Sequence, residues 1–403
     1  MRLLSRTAVL AVSLAASSRA DSVLVLPFAN RAASSDLDWI GVSISQTISD
    51  ALAAQGIEVV EAEERQEVYR RLSIRPYARL TRASVLKVAE ALDAEQVIYG
   101  EFELIPPEAP AAGGTRGSLR VSARRLDANR LTKGPEFSEV GALEDLAKLE
   151  THLAWQALRS LTPHTTPPLE EFERQRPAVR VSAIESYIRG LLATAAEQKH
   201  RFFTQAARLD EGFSGPCFEL GRMYWAGKEY RLAAQWLARV RPADSRFFEA
   251  NFLLGLSRYY TADYAGAQAA FELVARSVPL IEVFNNLGAA QSRRNLAEAL
   301  ENFRKALEGD PADPDYHFNV GFVLWKRGEY AAAADRFRAA LDRNPEDALA
   351  TLMLGRCLKQ AGPRRGDPRS EGLERLKHNY EERAYRELKA ALGAKGSRRN
   401  PLE

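Results

Sequence analysis

The sequence predicts a small α+β unit followed by an all-α array of repeated helical hairpins. Two observations carry this reading. Up to residue 162, short apolar runs of strand length alternate with helix-length apolar stripes. Beyond residue 180, glycine returns at a nearly fixed interval: Gly221, Gly255, Gly288, Gly321 and Gly355 are 34, 33, 33 and 34 residues apart. A period of that length marks stacked supersecondary units. The 403 residues are 46% hydrophobic, 27% charged and 9% aromatic. That is enough chain for two globular units and unlike a disordered or membrane-embedded one.

Residues 1–20 read as a secretory signal peptide. Arg2 and Arg6 form a basic start, Thr7 to Ala16 is apolar, and Ser18-Arg19-Ala20 offers small residues for a cut before Asp21. Ten apolar residues as a helix reach about 15 Å, half a bilayer core. No transmembrane span is expected, and the mature chain is expected to be periplasmic or otherwise extracytoplasmic.

The α+β unit is expected over residues 21–162. Ser22 to Phe28 is a buried-strand signal ended by Pro27 and Asn30. Ile40, Ile44, Ile48 and Leu52 then make one helical stripe within Ser35 to Ala54, and Gly56 ends it. Ile57 to Val60 reads as strand, Ala62 to Leu72 and Ala83 to Leu92 as helices, and Gln96 to Leu104 as strand. Pro106 to Gly117 reads as a loop, Ser118 to Leu126 as a half-exposed strand, Glu136 to Val140 as a weaker strand, and Leu143 to Leu161 as a closing helix. The order VLVLPF, DWIGVSISQTISDAL, GIEVVEAEER, ALDAEQVIYGEFEL resembles the amino-terminal domain of TolB and related envelope proteins. The resemblance implies an α+β fold used in protein contact rather than catalysis. Residues 163–180 hold four prolines and no apolar period, which predicts a semi-rigid linker.

In the array (residues 181–361), Leu precedes four of the five repeat glycines and Val320 the fifth. Alanine follows twelve residues on at Ala233, Ala267 and Ala333, and eleven on at Ala299. Four residues later stand Leu237, Phe271, Phe303 and Phe337, and Pro279, Pro311 and Pro345 close their repeats. This pattern resembles the tetratricopeptide repeat, which implies a right-handed superhelical solenoid of helix-turn-helix units. Gly190 with Phe203 and Ala206 resembles a first repeat. Residues 362–394 read as an interrupted last repeat, with a long capping helix from Ser370 to Leu392, and residues 395–403 as a disordered tail.

A search for chemistry finds little. His152, His164, His200, His317 and His378 never fall at metal-ligand spacing, and no H-E-x-x-H or G-x-S-x-G occurs. Gly113 to Gly117 lacks the lysine and the helix of a phosphate loop. Cys217 and Cys357 lie in repeats too far apart to pair. No enzyme activity, metal or cofactor is expected.

The resemblance implies an inner groove lined by the first helix of each repeat. Carried onto this sequence, its positions are Phe218, Arg222 and Trp225; Phe252, Leu256, Tyr259 and Tyr260; Asn285, Ser292 and Arg293; Phe318, Phe322, Trp325 and Lys326; and Leu352, Arg356 and Lys359. Aromatics beside cations suit an extended peptide carrying acidic or carboxylate groups. The same aromatics equally suit stacking between neighbouring first helices. The Lys/Asn carboxylate clamp of chaperone-binding members is not reproduced, which disfavours a chaperone tail.

The expected function is an exported, non-enzymatic adaptor that binds a protein or extended peptide in an envelope-associated complex. The alternative is a cytoplasmic regulatory or signalling protein that keeps residues 1–20. Nucleic acid is not expected as a partner. Without residues 1–20 the chain has 53 basic and 53 acidic residues. These divide into 16 basic against 21 acidic over residues 21–162 and 37 against 32 beyond. That asymmetry favours contact between the two units, weakly and salt-sensitively.

Overall fold

The computed structural model describes residues 22–385 apart from 32–33, 76, 106–116, 177, 365, 368–369 and 382–383. The expected signal peptide, most of the glycine-rich loop, the basic tail and the far end of the expected capping helix lie outside the described residues.

The amino-terminal sheet is built on β3 (Gln96–Ile105), which pairs in parallel with β1 (Val23–Val25) and with the short β2 (Ala29–Asn30). β4 (Ser118–Asp127) and β5 (Thr132–Ala142) continue it as an antiparallel meander. The Ile57 to Val60 strand reduces to a single bridge, Val59 to Val23, because only Glu58 and Val60 reach main-chain partners on β1. β5 is longer than the apolar signal suggests, since its pairing to β4 carries it from Thr132 to Ala142. Side chains alternate across the pleat. Val23 and Val25 join the core under α1 (Asp38–Ala54) and α4 (Leu146–Leu161), while Leu24 and Leu26 face α2 (Ala62–Arg71) and α3 (Arg82–Ala91). Around β1 the sheet is thus buried on both faces, while β4 and β5 each leave one face toward solvent.

One polar group is trapped in the seam between α1 and α4. Glu150 is buried; Thr47 donates to its Oε2 at 3.0 Å, while Oε1 has no partner. Burial pushes its carboxyl up to about 7, against the hydrogen bonds of Ser43 and Thr47.

Residues 163–180, expected as a linker, contain the short helix α5 (Leu169–Arg174). Its Phe172 is fully buried beneath the guanidinium of Arg176, 3.8 Å from the ring centre, so this stretch packs instead of spacing. The contact between the two units is apolar at Phe172, and Asp50 of α1 also feels the attraction of Arg246 in the array and of Arg176. One continuous core runs from the sheet through α4 and Phe172 into the helices beyond, and α1 packs on the first of them.

Five hairpins follow: α6 (Val181–Leu192) with α7 (Ala196–Leu209), α8 (Ser214–Ala226) with α9 (Tyr230–Leu237), α10 (Phe247–Tyr260) with α11 (Tyr264–Ser277), α12 (Ile281–Arg293) with α13 (Ala299–Gly309), and α14 (Pro314–Lys326) with α15 (Tyr330–Arg343). α16 (Ala348–Leu358) begins a sixth. Each hairpin stacks on the next, and first helices from α8 onward touch their neighbours. The glycine spacing has a direct steric cause. A Cβ on Gly255 would lie 2.6 Å from the Phe271 ring, whereas one on Gly355 would meet nothing within 4 Å. Beyond α16, only Ala384 and Tyr385 are helical among the described residues. The hairpin turns repeat as closely as the glycines. Seven residues after the repeat glycine, Lys228, Ala262, Asn295 and Gly328 all take positive φ, from 57° to 78°. The next amide donates back into the helix, as from Asp263 to the Arg258 carbonyl at 2.9 Å.

The expected helix from Ser370 is not formed over its described first half. Residues 371–381 contain neither helix nor strand. Their main chain is engaged instead by side chains of the array, as described next.

Candidate functional site

The faces of α12 and α14 turned away from their partner helices carry a run of polar residues rare in a helical core. Asn285, Asn286, Ser292 and Asn319 are all buried. Buried carboxamides are costly unless every group is satisfied, and here the chain's own segment 373–380 satisfies them. Asn319 Nδ2 donates to the Arg375 carbonyl at 2.8 Å, and its Oδ1 accepts from the Arg375 amide at 2.8 Å. Asn286 repeats the arrangement two residues on: Nδ2 donates to the Lys377 carbonyl at 2.7 Å and Oδ1 accepts from its amide at 2.8 Å. Asn285 ties the pair together, donating to the Arg375 carbonyl and accepting from Asn319, each at 2.8 Å. Gripping alternate residues matches the two-residue period of an extended chain.

Side chains of the segment enter flanking sites of opposite charge. At one end Glu374 Oε1 accepts from Ser292 Oγ at 2.6 Å and Oε2 from the Tyr259 hydroxyl at 3.4 Å. Lys326 and Arg293 lie near enough to feel that carboxylate. Burial lowers the Lys326 ammonium, and Glu374 works against the shift. At the other end Arg375 bridges Asp315 at 3.0 Å and Asp347 at 2.7 Å, with its guanidinium 3.8 Å from the centre of the Phe318 ring. Lys377 bonds Asp313 at 2.6 Å and Asp315 at 2.7 Å. Burial acts to raise the Asp315 carboxyl, but Lys377 and Arg375 prevail and hold it below the usual aspartate range. Leu376 packs between the two parts of the array's core. Beyond it, His378 hydrogen-bonds the Tyr260 hydroxyl and lies against Trp225, and Tyr380 meets Phe252 edge-on at 5.2 Å.

The groove positions expected from sequence thus divide. Trp225, Phe252, Tyr259, Tyr260 and Phe318 meet the segment directly, as do Asn285 and Ser292, while Arg293 and Lys326 reach it through charge. Phe218 is buried below the Arg246 guanidinium, 4.8 Å away, and Arg222 is exposed beside it. Phe322 and Trp325 are fully buried and stacked at 5.8 Å, with the indole N–H donating to the Ala361 carbonyl at 2.8 Å. Arg356 pairs with Asp367 at 3.5 Å. For Phe218, Phe322 and Trp325 the stacking role prevails. The acidic end was missed, as were Asn286 and Asn319. Both asparagines stand two residues before a repeat glycine, and a polar residue recurring at a buried repeat position is the signal that reveals them.

Residues 321–362 match the family model of the tetratricopeptide repeat, and residues 292–328 match a second model described as TPR repeat. This part of the chain carries tetratricopeptide repeats. The photosystem I assembly protein Ycf3 of Cuscuta gronovii is 42% identical over 60 residues, which are 14% of this chain and 36% of that protein. The chain therefore spans about a third of the length of the curated relatives it matches. Among solved structures, MamA from Desulfovibrio magneticus RS-1 (residues 41 to its end) aligns with a TM-score of 0.37 and 21% identity, over 42% of this chain and 99% of that one. YrrB, described as a TPR protein with an unusual peptide-binding site, aligns with a TM-score of 0.34 and 19% identity, over 49% and 97%. Among the described residues no helix is long and apolar enough to cross a membrane, and no cluster of His, Cys, Asp and Glu is placed to hold a metal. Cys217 and Cys357 are both free and buried.

Proposed function

We propose that this chain is a non-enzymatic adaptor whose tetratricopeptide solenoid, a right-handed superhelix, holds an extended segment of a partner protein in its inner groove. The observation that carries the reading is the two-handed grip of Asn286 and Asn319 on alternate main-chain units. Main-chain bonds of this kind supply affinity, and flanking side-chain sites supply choice of partner. The amino-terminal unit is read as a TolB-like contact domain, supported by the order of its strands and helices. Export to the envelope is supported by the pattern of residues 1–20.

A photocrosslinking residue at Tyr260, exposed at the groove's edge, tests the groove in the native cell. Partner recovery should fall at least tenfold in Asn286→Ala/Asn319→Ala; equal recovery sinks the assignment. Trp325→Ala is unsuitable for this purpose because Trp325 is core. The mass of the mature chain decides export: a start at Asp21 supports it, and retention of Met1 turns the reading to the cytoplasmic regulator.

A further inference from the structure

We infer that segment 373–380 is a built-in ligand that closes the groove in cis, and that the natural partner displaces it with a segment of the same chemistry: an acidic residue, a cation, an aliphatic residue and a second cation in succession. The inference rests on the groove reading above and adds the partner's sequence rule and a competitor. Three features support it. The segment uses the groove as a ligand would, with its main chain on two asparagines and its side chains in charge-matched sites. The order of charges is dictated by the receptor. Ser292, Lys326 and Arg293 surround an acid at position 374, and Asp313, Asp315 and Asp347 require cations at 375 and 377. An acidic peptide that satisfied only the basic end would leave three carboxylates facing one another. Finally, the fourteen residues from Lys359 to Gly372 tether the segment to the end of α16. A short tether imposes an effective concentration on the order of 1 mM. A free peptide that binds the open groove with a Kd of about 10 μM would then bind the closed chain about 100-fold more weakly.

The test uses the full chain and a fluorescein-labelled peptide of residues 370–385. Two variants loosen the segment through different contacts, Arg375→Ala/Lys377→Ala and Glu374→Ala/Tyr380→Ala. Each should bind the peptide 10- to 100-fold more tightly than the unaltered chain does, and a peptide with its charge order scrambled should not bind. Equal affinity for the unaltered chain and both variants overturns cis closure while leaving the groove reading intact. No binding by variants that keep the original circular dichroism and melting curve overturns both. A concentration-dependent dimer that vanishes in the loosened variants overturns closure in cis, since the segment would then sit on a second copy. Hydrogen exchange of the unaltered chain needs no substitution. The Arg375 and Lys377 amides should be protected and lose protection under excess peptide; exchange at the rate of free chain in its absence overturns the inference.

Discussion

Helices α10 and α12 hold equivalent places in successive hairpins and present opposite chemistry to the same segment. Three residues before the repeat glycine stand Phe252 in α10 and Asn285 in α12; four residues after it stand Tyr259 and Ser292. The α10 side offers rings, which bury surface and accept a range of positions along the chain. The α12 side offers carboxamides and a hydroxyl, which admit one register because each bond has a direction. A repeat scaffold therefore sets where a ligand lies, and departures from the repeat set which residues of it lie there. Glu150 in the amino-terminal unit is the counter-case. It too is polar and buried, but only one of its oxygens accepts from Thr47 and the other has no partner.

The largest effect separates scaffold from groove. Phe303→Ala empties the space beside Gly288, where a glycine Cβ would lie 2.9 Å from the ring. It should cost about 3–5 kcal/mol in urea unfolding. A loss below about 1 kcal/mol would break the separation. Next comes the half-satisfied carboxylate of Glu150. Because the folded chain raises Glu150 to about 7, its folded form binds a proton the unfolded form has released. Its contribution is intact below about pH 4 and is lost as pH rises through 7. Glu150→Gln should therefore stabilise the chain by roughly 3 kcal/mol at pH 8 and by almost nothing at pH 4. Destabilisation at pH 8 would refute the contrast with the paired asparagines. Asn286→Ala and Asn319→Ala should each weaken docking of the segment by about 1–2 kcal/mol, read as faster exchange at the Lys377 and Arg375 amides respectively. The smallest expected effect concerns the turns. Ala262 holds a φ of 63° that glycine adopts without strain, so Ala262→Gly should gain about 1 kcal/mol in thermal unfolding.

Much of the array was legible because its packing is local and periodic. The Gly255–Phe271 contact is written as a fixed spacing, and so is the turn seven residues past each glycine. The strands of the amino-terminal unit were legible where both faces are buried, as at Val23 to Val25. They were not at Ile57 to Val60, where pairing is a matter of tertiary position. The segment after Ser370 failed for a physical reason. Its composition suits a helix, but Asn286 and Asn319 claim the main-chain groups that a helix would use internally. Local propensity is a weak prior against such partners. The alternation of Glu374, Arg375, Leu376 and Lys377 gains meaning only beside the carboxylates that read it.

Those carboxylates have a second occupation. Asp313 caps α14 by accepting from the Asp315 amide at 2.8 Å, and Asp347 caps α16 by accepting from the Ala350 amide at 3.0 Å. Both therefore sit at the positive ends of helices, which offset their mutual repulsion whether or not a cation is present. The acidic end of the groove is a preassembled receptor. Arginine and lysine arrive at charges already aimed and already partly dehydrated, so exchanging one segment for another need not rebuild the site. Folding the helices and forming the recognition surface are, at these two residues, the same event.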